Sequence, residues 1–113
     1  MAKIISNAFS FNMVDWEGQA GLPVTVNARE MDLKEFKEEL EKGGWESSVG
    51  HADMANILSS LTGVKIPVNR RNDILQDGDF LFIAQYTGPR LPEGATTLPE
   101  GAKIRFIRVY FEA

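Results

Sequence analysis

The chain predicts one α/β or α+β domain, a sheet of about five strands with helices packed on it. Three observations carry this. Two segments, ending at Gly43-Gly44 and at Gly63, place apolar residues at helical spacing. Several short runs rich in Val, Ile and Phe are bounded by turn-forming residues, as strands are. Helical and strand-like segments also alternate along the sequence, the pattern of a sheet covered by helices. Residues 1–113 are read as a single domain, long enough to bury a core of its own.

Lys3-Ile4-Ile5-Ser6-Asn7 reads as a short opening strand, followed by alternating polar and apolar residues from Ala8 to Met13. Asp15 to Gly21 is a turn or loop, and Pro23-Val24-Thr25-Val26-Asn27 a second strand. Asp32 and Glu35 have capping-box spacing at the start of a helix whose Leu33, Phe36 and Leu40 share one face before Gly43-Gly44 stops it. Its other face mixes Glu and Lys, as a solvated surface does. From Ala52 to Thr62, Met54, Ile57, Leu58 and Leu61 follow the i, i+3, i+4, i+7 pattern of a packed helix, with Gly63 as terminator.

Val64 to Asn69 reads as a strand leading to Arg70-Arg71. After a turn at Gln76-Asp77-Gly78-Asp79, Phe80-Leu81-Phe82-Ile83-Ala84 is apolar throughout, as in a central strand covered on both faces. Gln85 stands at its end, where ligand sites of α/β sheets form, and Tyr86 to Arg90 reads as a loop. Leu91-Pro92-Glu93-Gly94-Ala95 recurs as Leu98-Pro99-Glu100-Gly101-Ala102; copies this short read as two successive turns, not a solenoid. Lys103 to Glu112 is a last strand with apolar residues on both faces.

Composition narrows the function. Twelve basic and 16 acidic residues give a net charge of −4, which argues against a nonspecific duplex-DNA binder with a broad basic face. A compact anion remains within reach of a few converging arginines, for which Arg70, Arg71 and Arg90 are the candidates. No apolar run approaches the ~20 residues of a membrane span. The opening Met1-Ala2-Lys3-Ile4-Ile5 leaves no room for a secretion signal, and with no cysteine the expected location is the cytoplasm.

The only histidine, His51, lies in Ser47-Ser48-Val49-Gly50-His51, directly before the second helix. One imidazole and no thiol leave one chain able to build a zinc site only through carboxylates or a second subunit, so transition-metal catalysis is not expected; no cofactor is expected either. Proton transfer suits a lone imidazole; packing or capping is the alternative. Gly50 allows a backbone geometry or a close ligand approach that a Cβ would block. The helix start beside His51 offers free N–H groups that favour an anion such as phosphate.

In order, Asn7-Ala8-Phe9-Ser10, Ser48-Val49-Gly50-His51, Leu61-Thr62-Gly63 with Pro67-Val68-Asn69-Arg70, and Arg90-Leu91-Pro92-Glu93-Gly94 span nearly the whole chain. Together they closely resemble the viral ring nucleases of archaeal viruses, phages and some bacteria, the anti-CRISPR enzymes that degrade the cyclic tetra-adenylate made by type III CRISPR systems. The resemblance implies a homodimer with a mixed sheet, binding the cyclic ligand at its two-fold interface, and, if the chain is viral, a place in the host cytoplasm. It implies metal-independent attack of a ribose 2′-hydroxyl on the adjacent phosphodiester, leaving linear products with 2′,3′-cyclic phosphate ends.

On that resemblance His51 is the general acid for the departing 5′-oxygen, a task suited to an imidazole. Arg90 holds the scissile phosphate or stabilises its extra negative charge, and Glu93 orients Arg90 or the attacking hydroxyl; the plain alternative is a surface ion pair between the two. Asn7, Ser10, Gly50, Arg70 and Gln85 match ligand-binding positions, though taken singly the polar ones are equally turns, caps or surface residues. Arg71 has no such match. Asp53, where relatives carry a hydroxyl, is placed to cap the helix. A module that binds the ligand without turnover is the alternative function, and a nucleic-acid-binding regulator a more distant one.

Overall fold

The computed structural model describes residues 2–92 and 94–113. Five strands, β1 (Lys3–Ser6), β2 (Thr25–Met31), β3 (Glu46–Ser47), β4 (Phe80–Thr87) and β5 (Lys103–Glu112), form one mixed sheet in the order β2-β5-β4-β1-β3. The helices are α1 (Trp16–Gln19), α2 (Leu33–Lys42) and α3 (Ala52–Thr62). β1 pairs in parallel with both β3 and β4, whereas β5 runs antiparallel to β4 and β2. Parallel neighbours require a crossover, and α3 supplies the one from β3 over β1 to β4. This is an α+β fold.

Strand alternation gives the sheet two apolar faces. On one, Ile5, Phe82, Ala84 and Phe106 pack under Phe36 and Leu40 of α2 and Met54 and Leu58 of α3. Phe36 is fully buried and its ring centre lies 4.6 Å from that of Phe106. On the other, Ile4, Leu81, Ile83, Val109 and Phe111 are covered by Val14, Leu75 and partly by Phe9 and Met13. The continuous apolar run of β4 is thus explained: both faces are buried, as expected.

α2 begins where the capping pattern placed it, with the Asp32 carboxylate accepting Glu35 N–H at 2.8 Å. The reciprocal half of the box is replaced by an ion pair, Glu35 to Arg29 at 3.0 Å, which holds the Arg29 guanidinium's pKa above its ordinary value. α3 has the predicted bounds and ends on Gly63 at φ 72°. Met54, Ile57 and Leu58 are buried, but Leu33 and Leu61 at the helix margins are 37% and 38% exposed.

Four segments differ from expectation. Val64 to Asn69 is not a strand: Pro67 has no N–H to give a ladder, and the segment is held instead by Asn69 N–H on Val49 O and Ile66 N–H on Ser59 Oγ, both 2.9 Å. β2 starts at Thr25 and continues to Met31, because β5 is long enough to pair with all seven residues. β4 runs on through Tyr86 and Thr87, paired with Ile104 and Lys103. Within Asp15 to Gly21, Trp16–Gln19 closes a helical turn capped by Asp15. The repeated pentapeptide does form matching turns: Ala95 N–H to Pro92 O and Ala102 N–H to Pro99 O are each 3.1 Å, with Gly94 and Gly101 at φ 77° and 80°.

Candidate functional site

Because β1, β3 and β4 are parallel, their carboxyl ends open on one side of the sheet, where ligands of such sheets bind. A cleft of ≈960 Å³ lies there, within the size range of ligand pockets. Asn7 enters it from the end of β1, His51 and Asp53 from the start of α3, Gln85 from β4, and Arg90 from the loop after β4. Four residues picked from distant parts of the sequence, Asn7, His51, Gln85 and Arg90, therefore share one wall-to-wall space.

His51 is the N-cap residue of α3. Its carbonyl accepts Ala55 N–H at 3.1 Å while its exposed imidazole makes no capping hydrogen bond. The side chain is thus left to the cleft. Asp53 is not the cap but lies in the first turn of α3, where its Oδ1 takes the neighbouring Met54 N–H at 2.7 Å. Its carboxylate suits the positive end of the helix, yet it lines the cleft and opposes any phosphate placed beside it.

Behind His51, buried hydroxyl chemistry shapes the approach. Ser47 Oγ donates to Pro67 O at 2.6 Å and accepts Val49 N–H at 3.2 Å, and Asn69 Nδ2 donates to Ser47 O at 2.8 Å. Gly50 is not among the glycines of positive φ. A Cβ there would stand 3.3 Å from Arg70 Cγ, so glycine lets the stem of Arg70 pass close.

The other expected positions fall apart from the cleft lining. Ser10 Oγ accepts Asn12 N–H at 3.2 Å and caps a 3₁₀ turn, Phe11–Met13, on the surface. Exposed Arg70 lies against Gly50. Of the three candidate arginines only Arg90 lines the cleft. Arg71 is engaged elsewhere, with Nε 2.8 Å from Asp73 Oδ1 but out of line for a hydrogen bond, and Nη2 3.3 Å from Glu46. Glu93 lies outside the described residues. Among the described residues no three His, Cys, Asp or Glu side chains converge as metal ligands would, and no helix is long and apolar enough to cross a membrane.

Tyr86 and Gly88 are among the cleft residues that escaped the sequence reading. Tyr86 Oη donates to Pro89 O at 2.5 Å and pins the loop that carries Arg90. Gly88 sits so close to Ala102 that a Cβ would approach its Cα to 3.0 Å. The Gly88-Pro89 pair following an aromatic residue was the available signal.

The fold and the sequence both have relatives among archaeal viruses. The structure of B116 of Sulfolobus turreted icosahedral virus superposes with a TM-score of 0.79 at 27% identity, covering 97% of this chain and 99% of that one. Uncharacterized protein 26 of Sulfolobus islandicus filamentous virus (isolate Iceland/Hveragerdi) is 38% identical over 74 residues, which are 66% of this chain and 62% of that protein's length. The family model for STIV B116-like proteins matches residues 3–107, and the chain belongs to that family.

Proposed function

We propose that the protein is a ring nuclease that opens cyclic tetra-adenylate without a metal ion and so switches off type III CRISPR signalling. The observation that carries this reading is the gathering of Asn7, His51, Gln85 and Arg90 in one cleft at the mouth of the parallel strands. In the proposed reaction a ribose 2′-hydroxyl attacks the adjacent phosphorus and loses its proton to solvent. The P–O5′ bond breaks, and the His51 imidazolium gives its proton to the departing oxygen. The guanidinium of Arg90 offsets the charge that builds on the phosphoryl oxygens, with Glu93 orienting it or the nucleophile. The products are linear and end in 2′,3′-cyclic phosphate.

The ligand's size supports a homodimer. Pockets of about 300–1,000 Å³ suit drug-sized molecules, so one cleft of ≈960 Å³ takes part of a four-nucleotide ring. Two clefts joined by a two-fold axis present the same groups to equivalent halves. The deciding experiment incubates the protein with cyclic tetra-adenylate in EDTA, identifies the products, and repeats this with His51→Ala. Cleavage to cyclic-phosphate ends that His51→Ala abolishes is the expected result. Binding without cleavage assigns the protein to sequestration instead, and absence of binding removes both readings.

A further inference from the structure

At the opposite end of β4 the face that carries α2 and α3 is left open. The register sets two rows of side chains across β4, β5 and β2: Phe80, Tyr110 and Asn27 in one, Phe82, Arg108 and Arg29 in the next. Two adjoining hollows of ≈340 and ≈220 Å³ lie over these rows and share Phe80 and Arg108. Phe80 and Tyr110 are partly exposed, with ring centres 4.8 Å apart, and the Arg108 guanidinium lies 4.8 Å above the Phe80 ring.

The second row is electrostatically unfavourable as it stands. Arg29 and Arg108 are direct cross-strand partners, and like charges so placed destabilise a sheet. Arg29 is compensated by Glu35. Arg108, half-buried, has no ion pair or side-chain hydrogen bond among the described residues, while Lys3 and Lys42 add positive charge at the rim around Glu39. A half-buried cation with no ion pair among the described residues, set on an aromatic ring, suits an anion with a flat apolar body.

We propose that this sheet face is a second binding site, for a nucleotide unit whose base lies against the Tyr110 ring and the Arg108 guanidinium, which itself covers Phe80, and whose phosphate pairs with Arg108. Base stacking on aromatic rings combined with arginine contacts is the physical basis of single-strand binding, and one unit needs no extended basic stripe. The site is separate from the His51 cleft: Phe80 and Tyr86 are six strand steps apart, about 20 Å. Its occupant is a free nucleotide or one unit of a single strand.

The test is an NMR titration of isotope-labelled protein with guanosine monophosphate, with a short single-stranded oligothymidylate, and with inorganic phosphate. Expected are saturable shifts of the Arg108 Nε–H and the Phe80 and Tyr110 ring signals with at least one nucleotide probe, the tighter probe naming the source. Arg108→Gln weakens that binding about 5- to 100-fold. A cooperative thermal transition of Arg108→Gln shows that the variant folds. His51→Ala leaves the binding unchanged. Shifts confined to the His51 cleft, inorganic phosphate binding as tightly as either nucleotide, no saturable shift with either nucleotide, or a folded Arg108→Gln of undiminished affinity would each overturn the proposal.

Discussion

Replacing Ser47 with alanine probes the turn that delivers His51 to the cleft. Ser47 is 4% exposed and Val49 fully buried, and the Ser47 hydroxyl is the acceptor for Val49 N–H and a donor to Pro67 O. Without it the Val49 amide has no partner where water does not reach, at a cost of about 1–3 kcal/mol. Pro67 is exposed and its carbonyl passes to water, so the amide dominates and the expected loss is about 2 kcal/mol. Taking an m-value of about 1.5 kcal/mol/M for a domain of this size, the urea midpoint falls by about 1.3 M with an unchanged slope. Ser10→Ala is the comparison, since its hydroxyl caps a turn in the open; it loses no more than about 1 kcal/mol. Equal midpoints for the two variants would refute the assignment of the turn to the buried hydroxyl.

Other perturbations separate positioning from chemistry. If the proposed reaction holds, His51→Ala lowers the cleavage rate of cyclic tetra-adenylate by about 10²- to 10⁴-fold, and its urea midpoint stays near that of the parent because the imidazole is exposed and makes no capping hydrogen bond. Gly88→Ala forces a Cβ to within 2.9 Å of Ala102 Cβ and 3.0 Å of Tyr86 Oη; a loss of about 1–3 kcal/mol is expected in thermal unfolding, together with weaker ligand binding. Gly50→Ala meets only the flexible stem of Arg70, so it loses less than about 1 kcal/mol, and a drop as large as that of Gly88→Ala would contradict this. Asp79→Ala strips acceptors from Ala2 N–H and Gln76 N–H, and calorimetry should register a loss of about 2–4 kcal/mol.

Helices were legible in the sequence because their signals are local. Asp32, Gly43, Gly63 and the spacing of Met54, Ile57 and Leu58 fix α2 and α3 from within. Strands depend on partners far away. The polar stretch Ala28-Arg29-Glu30 gives no sign of being a strand until β5 is beside it. Val64 to Asn69 reads as a strand by composition but finds no ladder. β3, two residues long, has no pattern to detect.

The candidate site divides along the same line. Asn7, His51, Gln85 and Arg90 were picked out as residues, but their meeting is a product of the parallel pairing of β1 with β4 and the crossover through α3. The engagement of Arg71 with Asp73 and Glu46 was equally hidden, since no sequence rule brings those three together.

The placement of β1 has a consequence for how the chain acquires its shape. Its four residues precede every other strand in the sequence, yet they sit between β3 and β4, and Lys3 pairs with Phe80. Bringing such remote segments together carries a loop-closure entropy that must be met before the contacts form. The antiparallel β4–β5 pair has far shorter closure and is positioned to form first, with β1 docking onto a prepared edge. Until then Ile4 and Ile5 remain uncovered. Removing the first few residues should therefore slow folding and promote aggregation well before it alters any group in the cleft.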